Sequence, residues 1–287
     1  MIENAFKVAD LEERGWLRVE DGNHGEYRPR QEEFGFGATR FIRAADLDGG
    51  RVRFETAELI NDVARARIRK GIGAPGDILF SHKGTVGKLA CVPLNAPPFV
   101  CSPQTTFWRT LDESKIDRSF LYYYLQSEEF VEQWQCRKGE TDMADYVSLT
   151  AQRELTLRLP DIGIQKAVGF LLSALDYKIE LNRKMNHTLE ELAAALFKSW
   201  FMDFDPVVAK RGGKKSVGVP ASVLPLFPDH FEDSELGPIP KGWKASRLGE
   251  NFNITMGQSP PGSTYNEKGD GLPFYQGRTD FGFRFPT

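Results

Sequence analysis

Hydrophobic positions in the first 160 residues come in short bursts separated by glycine and proline: TRFIRAADL, RVRFE, DILFS, KLACVPL, FVCSPQTTFWRT and LTLRLP. Their Val, Ile, Phe and Thr content, with frequent breakers between them, predicts a sheet-rich domain. Helical pieces are interspersed. Over residues 120–135, FLYYYLQSEEFVEQWQ, the residues Leu121, Tyr124, Leu125, Phe130, Val131 and Trp134 recur near helical spacing, which assigns these aromatics to a core. After Pro160 the period changes. From Val168 an alternating three-and-four step visits Leu171, Leu175, Lys178, Asn182, Met185, Leu189, Leu192 and Leu196, with Ile179 beside the polar interruption. A helix over residues 161–204 would run roughly 65 Å at 1.5 Å per residue. Its apolar stripe calls for a partner helix. The expected pairing positions are Val168, Leu171, Leu175, Ile179, Met185, Leu189, Leu192 and Leu196, and Asn182 inside the seam is placed to set register.

Beyond FMDFDPV the composition turns to Gly, Pro and Ser with a basic patch at Lys210, Arg211, Lys214 and Lys215, and it reads as a linker or surface loop. A β-type pattern resumes after Trp243. The final LPFYQGRTDFGFRF weakly echoes the early TRFIRAADLDGGRVRF, through Phe41 with Phe274 and Asp46-Leu47 with Asp280-Phe281, and hints at a second copy of the first domain. The expected fold is α+β. A sheet-rich domain covers 1–160, a long coiled-coil-like spacer helix 161–204, a linker 205–240 and the start of a second domain 241–287.

Length and charge narrow the function. The 287 residues suffice for more than one core. No apolar run approaches the ~20 residues of a membrane span, and the acidic amino terminus lacks the apolar stretch of a secretory signal, so a cytoplasmic setting without membrane contact is expected. The three cysteines, Cys91, Cys101 and Cys136, lack zinc-site spacing and the four histidines are scattered, so no metal is expected. A net charge of -3 discourages a nucleic-acid reading until its distribution is considered. Between Val63 and Leu111 the only acid is Asp77, against Arg65, Arg67, Arg69, Lys70, Lys83, Lys88 and Arg109. A locally positive surface of this kind attracts phosphates.

Which phosphates is a question for GDILFSHKGTVGKL, residues 76–89. A nucleotide-binding P-loop needs Gly-x-x-x-x-Gly-Lys-Ser/Thr, whereas here Leu89 follows Gly87-Lys88 and His82 takes the place of the first glycine. What remains is a tight Gly-x-x-Gly turn between strands, either a plain hairpin or one presenting Ser81, Lys83, Thr85 and Lys88 to a nucleic acid. Asn95-Ala-Pro-Pro-Phe99 misses the adenine-binding loop of methyltransferases by one inserted residue, and Glu33-Phe-Gly-Phe-Gly37 misses a cofactor loop by one position. Ser81 and Ser102 lie in no Gly-x-Ser-x-Gly context. No catalyst is supported.

GDILFSHKGTVGK, CSPQTTFWRT, FLYYYLQS, LTLRLP, then IQKAVGFLLSALDYKIELNRKMNHTLEELAAALFKSWFMDFDPV and ELGPIPKGWKASRLGE follow one another in an order that resembles the specificity subunit of type I restriction-modification systems. Ile164-Gln165 departs from the Glu-Gln usual there. The resemblance implies two recognition domains joined by antiparallel helices, each reading one half of a split DNA sequence, with the helix as a ruler. It implies a non-catalytic chain without a cofactor of its own. S-adenosylmethionine would sit on methyltransferase subunits, while ATP and Mg would serve partner subunits, including the restriction and translocase subunit. The chain stops soon after Trp243, so the resemblance also implies truncation early in a second domain and a possible self-dimer of such chains. Within the first domain, Arg40, Arg43, Ser81, Lys83, Thr85, Lys88, Gln104 and Thr105 are the expected contacts to double-stranded DNA. Competing readings are a stand-alone adenine DNA methyltransferase and a truncated regulatory subunit that binds only partner subunits.

Overall fold

The apolar bursts form strands whose alternate residues feed two different cores. The computed structural model describes residues 4–22, 24–139, 145–214, 218–266, 268–275 and 277. Its strands are β1 (Asn4–Lys7), β2 (Leu17–Asp21), β3 (Phe34–Ile42), β4 (Leu47–Asp48), β5 (Gly50–Val52), β6 (Leu59–Ile60), β7 (Ile78–Ser81), β8 (Leu89–Cys91), β9 (Phe99–Cys101), β10 (Thr105–Thr110) and β11 (Thr156–Leu159). One six-stranded sheet has the order β2-β10-β7-β8-β5-β4, a three-stranded sheet the order β6-β3-β9, and β1 pairs with β11. Parallel pairing occurs between β3 and β9 and between β5 and β8.

Central strands β7 and β10 carry apolar residues on both faces because both their faces are covered. Ile78, Phe80 and Trp108 point into a core shared with Leu121, Phe130 and Trp134, while Leu79 and Phe107 point into one shared with Ile42, Leu47 and Phe99. Trp108 meets Phe130 edge-on, with ring centroids 5.7 Å apart. Each such burial contributes about 1.5–3 kcal/mol.

Helices α1 (Val8–Glu13), α2 (Asp62–Arg67), α3 (Arg118–Tyr124), α4 (Glu128–Gln135) and α5 (Leu149–Arg153) complete this domain. The helical spacing over 120–135 is carried by two helices, α3 and α4. Ser127 separates them by turning its hydroxyl to the Phe130 N–H at 3.3 Å, as an N-cap does.

Helix α6 (Ile162–Phe197) continues through a π turn, Lys198–Met202, and stops before Phe204, whose left-handed φ of 55° breaks the helical path. Its first half is docked on the sheet domain. Buried Gln165 accepts from Asp117 N at 2.9 Å and donates to the carbonyls of Pro160 and Lys115. Gly169 lets the helix approach so closely that a Cβ there would lie 2.8 Å from Asp117 Oδ1 and 2.9 Å from Phe120 N. Further along, Tyr123 Oη donates to Asp176 at 2.9 Å and Arg51 Nη1 to Glu180 at 2.7 Å. At 3.6 residues per turn this docked face lies about 150° around the helix from the Val168-to-Leu196 stripe. Leu171, Leu175, Ile179, Met185, Leu189 and Leu192 are all exposed. The compact unit Met1–His187 includes the docked part of α6.

The second unit, Thr188–Thr287, is organised by aromatic rings. Helix α7 (Asp205–Arg211) and the hairpin of β12 (Phe231–Ser234) and β13 (Gly237–Pro240) accompany a cluster in which Phe201 stacks on Trp243 with centroids 6.1 Å apart. Lys210 donates to the Phe227 carbonyl at 2.7 Å. Residues 205–240, which read as a linker from their Gly and Pro content, thus carry local structure pinned by rings that a compositional reading overlooks. After Trp243 the described residues form α8 (Leu248–Asn251) and one 3-10 turn but no strand. A β-prone segment without a partner strand has no ladder to join. The Asp280-Phe281 part of the internal echo lies outside the described residues.

Candidate nucleic-acid interface

Strand register gathers several loops at one end of the six-stranded sheet. Asp21, at the end of β2, lies opposite Thr106; Ser81, at the end of β7, lies opposite Thr105; and Leu89, at the start of β8, lies opposite Phe80. The chain leaving β2, the β7–β8 loop and the β9–β10 loop therefore share that end. Two glycines let backbones touch here. A Cβ on Gly22 would lie 2.1 Å from the Cys101 carbonyl oxygen, and one on Gly71 2.6 Å from Gly22 Cα. Gly71 also donates to Glu20 Oε1 at 2.7 Å and accepts from Cys101 N at 2.7 Å, which draws the Arg69-Lys70 stretch into the group. The Arg69 guanidinium lies 5.7 Å from the Tyr27 ring.

The β7–β8 loop is a closed hairpin. Ser81 Oγ donates to the Thr85 carbonyl at 2.6 Å and accepts from Lys88 N at 2.8 Å. Gly84 and Gly87 hold left-handed φ values of 81° and 100°, and Gly87 also sits against the Trp134 ring, where a Cβ would come within 2.9 Å. His82 is the junction with neighbouring segments. Its N–H donates to the Gln104 carbonyl at 3.0 Å, its carbonyl accepts from Val147 N at 2.8 Å, and Nδ1 lies 3.2 Å from the Val147 carbonyl. Burial pushes the imidazole below its ordinary pKa, and among the described residues Nε2 has no hydrogen-bond partner within 3.5 Å.

The positions nominated from sequence divide sharply. Lys83, Thr85 and Gln104 are exposed at this end of the sheet, with side chains that have no hydrogen bond or ion pair among the described residues; Lys88 is half-buried beside them. Ser81 and Thr105 are fully buried and are corrected from DNA contacts to structural ties: Ser81 closes its own loop, and Thr105 Oγ1 donates to the carbonyls of Ile42 and Ser102. Arg40, on β3 of the three-stranded sheet, and Arg43, just beyond that strand, are half-buried, and each spends part of its guanidinium on the fold. Arg40 Nη1 donates to the Ala57 carbonyl at 3.2 Å, and Arg43 pairs with Glu58 while packing over Phe34 and Phe41.

Tyr27, Arg69 and Tyr146 also lie at this end of the sheet, where the sequence reading placed none of them, and the buried His82 ties its loops together. Arg69 was visible as part of a basic run, but Tyr27 and Tyr146 reach this end only through contacts distant in sequence, such as the backbone bridge from Lys83 to Tyr146. Also at this end, His24 Nε2 lies 3.0 Å from Asp21 Oδ2 and Lys138 pairs with Asp145 at 2.6 Å.

Other features serve the scaffold. Arg109 grips the fully buried Asp77 with bonds of 2.6 and 2.8 Å, and burial raises the Asp77 carboxyl against the pull of that guanidinium. Burial pushes the Cys91 thiol up to about 12, which makes it inert. A cleft of about 840 Å³ beside α6 is lined by the cations Arg51, Arg118, Arg183 and Lys184 and by the acids Asp176 and Glu180, of which Glu180 pairs with Arg51. Among the described residues no cluster of His, Cys, Asp or Glu is arranged to hold a metal, and no helix is long and apolar enough to cross a membrane.

The chain is 30% identical over 197 residues to the "Type I restriction enzyme HindI specificity subunit" of Haemophilus influenzae, covering 54% of this chain and 42% of that protein. It is 25% identical over 182 residues to the "Type I restriction enzyme MjaIX specificity subunit" of Methanocaldococcus jannaschii, covering 62% of this chain and 38% of the relative. It thus spans less than half of each. A crystal structure of the HsdS subunit from Thermoanaerobacter tengcongensis aligns with a TM-score of 0.45 at 22% identity, over 99% of this chain and 63% of that one. Residues 33–191, which hold the β7–β8 and β9–β10 loops and the docked part of α6, match the family model described as type I restriction modification DNA specificity domain, and the chain belongs to that family.

Proposed function

We propose that the chain is a non-catalytic DNA-recognition subunit that binds one half of a bipartite duplex site and directs adenine methylation and restriction by partner subunits to it. The carrying observation is the unpartnered set Lys83, Thr85 and Gln104 on a hydrogen-bonded base at one end of the sheet, in a member of a DNA specificity family. The chain itself takes no cofactor in this reading. S-adenosylmethionine, ATP and Mg belong to the methyltransferase and restriction subunits. Lysines hold phosphate as point charges, and a planar amide can read a base edge. Binding of duplex DNA across a salt series tests this. Lys83→Ala with Lys88→Ala should flatten the slope of log K against log salt by about 0.9 for each phosphate that the lysines no longer neutralise; an unchanged slope removes both from the interface.

The exposed stripe of α6 supports a second element of the proposal, pairing with an antiparallel helix from another copy. Val168 and Leu196, Leu175 and Leu189, and Ile179 and Met185 are each equidistant from Asn182. A twofold axis at Asn182 therefore sets apolar residues opposite one another and the asparagine opposite itself. Two recognition domains related in this way would read a symmetric, interrupted site.

A further inference from the structure

The exposed side chains left without partners at the loop end of the sheet are not equivalent. Lys83 and Thr85 sit in the β7–β8 loop around Gly84, and they offer a point charge and a single hydroxyl. Gln104 differs in its footing. Its carbonyl accepts from His82 N at 3.0 Å, its N–H donates to Ser102 Oγ at 3.3 Å, and the adjoining Thr105 is bonded to Ser102 and Ile42. It also differs in position, because the Ser102–Gln104 segment touches Gly22 on one side and His82 on the other. The side chain is a planar amide with a donor and an acceptor on one edge. Two simultaneous bonds to a base demand a fixed origin, whereas holding a phosphate does not.

We infer that Gln104 is a base-reading residue that recognises an adenine of the half-site through its N6 and N7 atoms in the major groove. This rests on the DNA-recognition reading above. Lys83 and Thr85 then hold the flanking phosphates, and His82 acts as a positioning residue that fixes the Gln104 carbonyl.

The test is selection from a duplex library randomised over one half-site, using the full chain as wild type, Gln104→Ala and Gln104→Arg, followed by titration of the selected duplex across salt. Wild type should select adenine at one position. Gln104→Ala should lose that preference by about ten- to a hundredfold, with the salt slope unchanged. Gln104→Arg should move the same position toward guanine, since the guanidinium fits O6 and N7. A Gln104→Ala chain that keeps every base preference, or that weakens binding to all sequences with a shallower salt slope, overturns the assignment. If wild type selects no sequence at all, the DNA-recognition reading fails and the inference falls with it.

Discussion

Polar side chains in this protein are sorted by whether their hydrogen bonds are already used. Gln152 shows the consequence inside the core. Fully buried, it accepts from Thr106 Oγ1 at 2.9 Å and Trp108 Nε1 at 3.3 Å, and donates to the Val147 carbonyl at 3.1 Å. Gln152→Leu leaves Trp108 Nε1 buried and unmatched and takes one of two partners from Thr106 Oγ1 and from the Val147 carbonyl, and urea denaturation should show a loss of about 1–3 kcal/mol. Glu33 shows the consequence for charge. Two bonds from Arg67 hold its carboxyl at about 2, well below the ordinary 4.5. A depressed carboxyl stabilises the fold fully above the unfolded value, and that stabilisation is lost as pH falls from about 4.5 toward 2. Melting temperatures of wild type and Arg67→Ala should therefore differ most above pH 5 and converge toward pH 2; a gap independent of pH would refute the linkage. These commitments also explain the uneven fate of the nominated contacts. Residue type marked Ser81, Thr105, Arg40 and Arg43 as capable of touching DNA; burial and internal bonds turn Ser81 and Thr105 inward, whereas Arg40 and Arg43 keep guanidinium donors beyond the bonds they make.

At the scale of elements, glycines decide how closely pieces meet. In the β7–β8 hairpin Gly87 combines a left-handed φ with contact to Trp134, so Gly87→Ala adds both backbone strain and a clash. A loss of about 1–3 kcal/mol is expected, together with weaker DNA binding, because Lys83 and Thr85 ride on the same loop. Docking of α6 follows the same rule. The Arg51–Glu180 pair is more than half exposed on the Arg51 side and contributes about 0–1 kcal/mol. Gly169 instead faces backbone and the Asp117 carboxylate, neither of which can move aside cheaply. Gly169→Val should therefore destabilise the first unit by about 1–3 kcal/mol and Arg51→Ala hardly at all, as calorimetry of the two variants would show. The hairpin was readable from two glycines between apolar runs, since a turn is local. The docking of α6 through Gln165 was not, because its partners Asp117 and Lys115 lie far back in the chain.

For the whole molecule the exposed stripe of α6 matters most. If it takes a second copy, sedimentation at micromolar concentration should show a dimer that Leu175→Lys with Leu189→Lys converts to monomer; a wild type that stays monomeric would remove the twofold pairing and leave the DNA-recognition reading standing. The sequence alone determined the change from strand to helix period after Pro160, the heptad-like stripe, the turn at Gly84 and Gly87, and the likeness to a specificity subunit. These are properties of neighbouring residues, set by side-chain spacing and backbone freedom. Tertiary structure alone decided that two cores share alternate residues of β7 and β10, that rings organise residues 200–243, and that loops from distant parts of the chain meet around Gly22, Gly71 and His82. It also decided which polar groups remain free for a partner. A hydrogen bond is satisfied by whatever the fold brings within about 3 Å, and that neighbour is rarely adjacent in sequence.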